Sequence, residues 1–225
     1  MMICAIHQIQ FMPGLRFFSK MAASDIFIYL DDVQYEKREF QNRNRIKTVS
    51  GVEYLTVPVL SRGRFLQSIS SVEISEPEKM AQEHIKKIKF NYSKAPFFKL
   101  YFPELERIYL YPKKKLAELS IELIDFFRKA LKIDVPFRFS SEFALKSSSS
   151  LRLAELCYLV KADSYLSGSG GRNYLDEKPF SQRGIKVIWQ SFDVKPYPQL
   201  YGNFEPNLSA LDLLLNCGEK GRDYL

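Results

Sequence analysis

The first thirty residues hold the pattern that most narrows the fold. Met2 to Ile6 is a short apolar run and reads as a fully buried strand. Pro13 and Gly14 punctuate the next stretch, and a helix is predicted from Leu15 to Ala23, where Phe17, Phe18 and Met21 give partial helical spacing. Asp25 to Leu30 is the next strand, continuously apolar after its first residue, as a central parallel strand requires. Strand, turn, helix, strand in this compass is a βαβ unit, and a right-handed crossover makes its strands parallel. Both carboxyl ends then lie on one edge of the sheet, where open α/β sheets bind ligands. The first strand runs out at His7 and the second at Asp31. His7, Gln8, Asp31 and Asp32 are therefore expected to converge on one crevice.

The rest of the chain extends this start. Val33 to Lys47 is polar, basic and rich in amides, with no clean period. Val49-Ser50-Gly51 reads as a turn, and Tyr54 to Leu60 as an edge strand that tolerates Pro58. A hairpin or lobe is expected over Gly51 to Ile74. Helices are predicted at about Pro77 to Phe90, Phe97 to Tyr109 and Lys113 to Lys132, the last carrying an apolar stripe. Short strands are expected at Phe137 to Ser140, Tyr165 to Ser167 and Ile185 to Gln190. Further helices are expected at Leu151 to Val160, capped by the serines before it, and at Leu208 to Cys217, closed by Gly218. The expected fold is an α/β single domain over residues 1–225. It has a mostly parallel sheet flanked by helices in three layers and a mainly helical lobe at about 77–132.

Composition sets the class of partner. Lys and Arg number 33 against 26 Asp and Glu, for a net charge of +7, which favours anionic partners such as nucleotides, phosphorylated sugars or RNA. Cys4, Cys157 and Cys217 lie far apart in apolar segments, so buried free thiols are expected, with neither a disulfide framework nor a metal site. No signal-peptide pattern and no apolar run near the roughly 20 residues of a spanning helix are present, so no membrane insertion and a cytoplasmic location are expected.

Four constellations bear on chemistry. His7-Gln8 places an imidazole at the predicted ligand edge, as a base or as a hydrogen-bonded cap of the sheet. His84, in a charged helix, is expected to face solvent. Asp31-Asp32 would hold Mg²⁺, a ribose or an amine, or else cap a loop or pair with a cation. Asn42-Arg43-Asn44-Arg45, with Lys37 and Arg38 ahead, offers guanidinium forks and amides suited to phosphate, against a solvated basic loop. Ser167-Gly168-Ser169-Gly170-Gly171-Arg172-Asn173-Tyr174 is a glycine turn after a strand, suited to an anion and matching neither the dinucleotide nor the Walker A pattern. Ser167 to Tyr174 is expected to lie in the same cleft as Asp32 and Arg43, so that the two strand ends, the basic stretch and the glycine turn meet there.

These segments also carry a family resemblance. The stretch from His7-Gln8 through FFSKMAASDIFIYLDDVQYEKREFQNRNRIKT to YLTVPV, then YLSGSGGRNYLD and YPQLYGNFEPNLSALDLLLNCG, resembles the signatures of the WbqC-like family. Departures fall at Ile9, Gly14, Arg16 and Phe17, where the family typically shows His-Gln-Pro and Pro-Trp-Leu-Gly-Tyr. The resemblance implies a place in bacterial surface polysaccharide, O-antigen and lipopolysaccharide biosynthesis, and Gln199 of the last signature joins the expected binding residues. The opening βαβ unit is similar to that of nucleotidylyltransferases, without their HxGH motif.

The expected activity is acyl or aminoacyl transfer to the amine of a nucleotide-linked amino sugar. His7, Asp31 or Asp32 would serve as base. Arg43, Arg172 and the glycine turn would hold phosphate, or the amides of Gly170 and Gly171 an oxyanion. The cofactor would be ATP or an acyl donor. An ATP-dependent amide ligase, a tRNA-binding protein and a non-catalytic scaffold stand as alternatives; DNA is not an expected partner.

Overall fold

Alternation along two short strands decides the layering of the computed structural model, which describes residues 1–225. In β1 (Ile3–Gln8), Ala5 enters the core on one face of the sheet and Cys4 and Ile6 enter it on the other. In β2 (Ile26–Leu30), Phe27 and Tyr29 share the face of Ala5, and Ile28 shares the face of Cys4. Both faces are covered, which is why these runs are continuously apolar. Helix α1 (Leu15–Ala22) covers the first face with Leu15, Phe17, Phe18 and Met21.

Next in the chain is a hairpin, β3 (Arg43–Thr48) and β4 (Gly51–Thr56), then three helices, α2 (Pro77–Tyr92), α3 (Phe98–Leu110) and α4 (Leu116–Ala130). The chain returns through β5 (Phe137–Phe139), α5 (Ser149–Leu159), β6 (Ser164–Ser167), α6 (Lys178–Ser181) and β7 (Lys186–Trp189) to the terminal helix α7 (Ala210–Cys217). Five strands form one parallel sheet in the order β5-β2-β1-β6-β7. The chain therefore walks outward from β1 to β5, returns beside β1, and walks the other way. The order reverses between β1 and β6, the topological switch point of a doubly wound sheet. Helices α5 and α6 cover the second face through Ala154, Leu156, Cys157 and Phe180. The three-layer α/β fold expected from sequence is the one observed.

Helices α2 to α4 share one apolar cluster with α1, α7 and the first face of the sheet. Every residue of α7 is buried, Asp212 included. Gly218 ends that helix at φ 62°, and a side chain there would strike the Phe97 ring at 2.7 Å. All three cysteines are buried and free. No helix is long and apolar enough to cross a membrane.

Four features differ from expectation. The basic stretch, which shows no clean period in sequence, ends in a strand: from Arg43 onward it is β3, antiparallel to β4 from Arg43↔Thr56 to Thr48↔Gly51. Its period of two is masked because the buried side of the strand carries Asn44 and Thr48 beside Ile46. The strand expected at Tyr54 to Leu60 accordingly begins earlier, at Gly51. The short helix α6 carries too few residues to show a period.

His84, expected in solvent, is 5 % exposed. Its Nε2 lies 3.0 Å from the Thr56 carbonyl and its Nδ1 3.1 Å from the Tyr109 hydroxyl. A carbonyl only accepts, so Nε2 carries the proton and Nδ1 accepts from the phenol. The histidine joins α2 to α3 and to the hairpin, a task that charged neighbours along the helix concealed.

Burial lowers the His84 imidazolium to about 4. In the unfolded chain it titrates near its usual 6.5. As pH falls through that interval the unfolded chain takes up the proton first, so this contribution to stability is full above about 6.5 and is lost toward about 4. Asp212, raised to about 6 by burial, works in the opposite direction over part of that range. His84→Gln, which keeps an amide donor for Thr56, is expected to flatten the acid slope by about 3 kcal/mol at most. Urea unfolding at a series of pH values measures it.

Candidate functional site

The β1–β6 pairing stops at Ala5 and Leu166, although both strands continue. Met2 accepts from Asp163 and Ser164, so by the parity of the ladder the Ile6 carbonyl also faces β6. No β6 amide pairs with Ile6. The ammonium of Lys20 takes that place, donating to Ile6 O at 2.7 Å. Lys20 sits on the inward side of α1, three residues after Phe17, and is 4 % exposed. It forms no ion pair, and its Nζ stands 5.8 Å from the Tyr165 ring centre. Burial brings the Lys20 ammonium down to about 8.

Beside it, at the end of β1, is His7. Its Nδ1 lies 2.9 Å from the carbonyl of Gln8, so the proton resides on Nδ1 and Nε2 keeps its lone pair. Burial, then the Lys20 charge, lowers the imidazolium to about 4. The ring packs edge-on against Phe17 at 5.0 Å. His7 at neutral pH is thus an uncharged, oriented base with no hydrogen bond to Nε2 inside the protein.

Two cavities meet at this residue. The first, about 230 Å³, opens at the start of α1. Gly14, just before α1, and Leu15, Arg16 and Phe17 of α1 line it, with Asn44 and Arg45 from β3, and Tyr197, Asn207 and Leu208 from the C-terminal segment. Two arginines and no carboxylate lie in its wall. Arg45 donates through Nη2 to Asn207 O at 2.9 Å, while its buried Nε has no partner. The first turn of α1 adds the positive end of the helix dipole. The second cavity, about 530 Å³, lies at the switch point. His7, Gln8, Lys20, Glu36, Tyr165, Ser167, Gly168, Gly171 and Tyr174 are among its lining residues.

The sequence candidates therefore divide. His7, Gln8, Gly168, Gly171 and Tyr174 share the switch-point cavity. Asn44 lines the first cavity, where its amide donates to Met12 O at 2.8 Å. Asp31 and Asp32 come after β2 on the same sheet edge, but neither lines a cavity that His7 lines. Asp31 accepts from Ser141 N at 3.0 Å and from the Ser140 and Ser141 hydroxyls, which caps the 3₁₀ turn after β5. Asp32 accepts from Ser140 and is ion-paired with Arg152 of α5. Both carboxylates are occupied in holding β2 to its neighbours.

Gln199 accepts from Lys47 Nζ at 3.0 Å and from Glu205 N, and donates to Glu205 O, bracing the C-terminal loop on the hairpin. Asn42 bonds Val57. Arg43 lies over the Tyr54 ring at 4.5 Å, Arg172 over Trp189 at 5.2 Å, and Lys37 and Gly170 are exposed. The amide of Gly171 is consumed by Gly168 O at 3.0 Å, so it is not free for an oxyanion. A side chain at Gly171 would meet Ser167 Oγ at 2.6 Å and Trp189 at 3.1 Å; packing requires that glycine.

Sequence patterning does not single out Lys20, Glu36 or Tyr197, and Arg45 and Ser167 enter it only as members of the basic stretch and the glycine turn. One signal exists for Lys20: a lysine in register with Phe17 and Met21 on an inward helix face.

Likeness to known proteins runs along nearly the whole chain. The profile of the WbqC-like protein family matches residues 8–224. A Mycobacterium tuberculosis protein described only as uncharacterised is 39% identical over 223 residues, covering 98% of this chain and 96% of its own length. No solved structure matches.

Asp32 and Arg152 give a direct test of the structural assignment. The Arg152 side chain is 12% exposed and would be left uncompensated in Asp32→Ala. A loss of about 3 kcal/mol is expected, with a smaller loss in the double variant Asp32→Ala/Arg152→Met. Urea unfolding of the two single variants and the double variant reads this coupling.

Proposed function

The chain belongs to the WbqC-like protein family, and on that basis we propose that it is an enzyme of bacterial surface polysaccharide biosynthesis that forms an amide on a nucleotide-linked amino sugar. The observation that carries this reading is His7, a neutral oriented base forming a shared wall of two cavities beside the switch point.

The first cavity suits the nucleotide diphosphate. It sits at the first βα turn of a doubly wound sheet, the position where such folds receive phosphates. Arg16, Arg45 and the N-terminal turn of α1 supply positive charge, and the buried Nε of Arg45 awaits an acceptor. Phe17, Phe40 and Tyr197 offer apolar surface to a base or sugar ring. The second cavity takes the acyl or aminoacyl donor, which brings its carbonyl carbon to the His7 side.

The sugar amine attacks that carbon through its lone pair. The C–N bond forms, and the carbonyl π pair moves onto oxygen. His7 Nε2 accepts a proton from the nitrogen, and the Nδ1–H bond to Gln8 O keeps the lone pair aimed. Collapse of the intermediate expels the leaving group, which receives the same proton from the imidazolium. The low affinity of this half-buried imidazole for a proton favours the second transfer. Asp31 and Asp32 have no part in the step, because their oxygens are already held.

Arg45→Ala is expected to weaken binding of a nucleotide diphosphate amino sugar at least tenfold in calorimetric titration. His7→Gln is expected to leave that affinity within about twofold while lowering turnover by about 10² to 10⁴. Unchanged affinity in Arg45→Ala refutes the phosphate site, and unchanged turnover in His7→Gln refutes the base.

A further inference from the structure

Two opposite charges in the switch-point cavity lack partners. Lys20 is buried and hydrogen-bonded only to a neutral carbonyl. Glu36 is exposed, lines the same cavity and enters no ion pair. The two do not pair with each other, although both border one space of about 530 Å³. A buried cation without a counter-ion is costly, and a cavity that keeps one is suited to take the anion from its ligand.

Glu36 is held in place from behind. Its backbone amide donates to Gln41 Oε1 at 2.9 Å, and Gln41 Nε2 donates to Gln8 Oε1 at 2.9 Å. This chain of amides fastens the acidic side of the cavity to the end of β1. It also leaves the Gln8 amide nitrogen without a protein acceptor. Ser167 Oγ makes a 3.4 Å contact with the next carbonyl and lies beside the Tyr165 phenol, and both residues border the same space. Neutral donors thus line the same cavity as the cation, and one carboxylate borders it without pairing with that cation.

A ligand carrying a carboxylate and an ammonium on one small framework satisfies both groups. We propose that the switch-point cavity binds an α-amino acid as its zwitterion, with the carboxylate on Lys20 and the α-ammonium on Glu36. The inference rests on the amide-forming reading for its meaning: the second reactant is then an amino acid rather than an apolar acyl group. Its carboxylate, which has no leaving group of its own, is first activated by a nucleoside triphosphate, forming an acyl adenylate with release of pyrophosphate, so that the amine later displaces the nucleotide monophosphate. Phosphate fits less well, because the single buried cation faces a cavity that also carries a carboxylate.

The test is calorimetric titration of the full chain with each of the twenty free amino acids, inorganic phosphate and matched analogues. At least one amino acid is expected to bind. Its carboxamide and its α-hydroxy acid are each expected to bind at least tenfold more weakly. Lys20→Met is expected to lose the amino acid at least tenfold. Glu36→Gln, a change at an exposed position, is expected to weaken the amino acid while sparing the α-hydroxy acid, which shows that the ammonium is read there. Absence of binding by every amino acid overturns the inference, as does full affinity in Glu36→Gln or Lys20-dependent binding of phosphate alone. Arg45→Ala separates the two readings. It is expected to weaken the nucleotide sugar and leave the amino acid unaffected. Amino acid binding without any nucleotide sugar binding would remove the transfer reaction and leave this site standing.

Discussion

The bond from Lys20 to the Ile6 carbonyl is the contact around which the site is arranged. Where the order of a doubly wound sheet reverses, the chain leaves the two central strands in opposite directions and the strands part. Parting exposes main-chain acceptors that a continuous ladder would have used, and an unpaired buried carbonyl is costly. Here a side chain from the first crossover helix fills the gap. The ammonium satisfies the carbonyl, holds α1 against β1 and brings a positive charge to the floor of the switch-point cavity. It also helps keep His7 neutral, because a nearby cation disfavours the imidazolium. One lysine thereby couples the packing of the fold to the protonation state of its candidate base.

The hairpin completes the other half of the site. Its buried side anchors through Asn44 to the loop after β1, and its outer side turns Arg45 toward the first cavity. Ser209 N donates to Arg45 O at 2.9 Å and Ala210 N to Pro13 O at 2.9 Å, so the start of α7 clamps both partners. Lys47 reaches Gln199 and the Asn203 carbonyl and ties down the segment that carries Tyr197. Residues far apart in the chain thus share a wall because each satisfies the main-chain groups of another.

The glycine turn and the acidic pair illustrate how one motif supports different physics. Gly171 lies in the cleft, yet its lack of a side chain serves the close approach of Ser167 and Trp189. Asp31 and Asp32 stand at a strand end on the ligand edge, yet serine donors and Arg152 claim their oxygens. Position relative to the sheet is legible from sequence in both cases. The partner set, which decides whether a polar group is available, comes for the acidic pair from segments more than a hundred residues away.

Local patterning was enough to establish the βαβ opening, the parallel sheet, most helices and the edge where the carboxyl ends of the strands lie. Those features are written in periodicity and in the handedness of crossovers, which act over a few tens of residues. The same patterning places His7 at that edge. Packing in three dimensions was needed to make β3 a strand, to bury His84, to set Lys20 at the parted strands and to give the carboxylates after β2 their structural partners. Each of these depends on the group that satisfies a polar atom, and burying such an atom is favourable only once that group is in place.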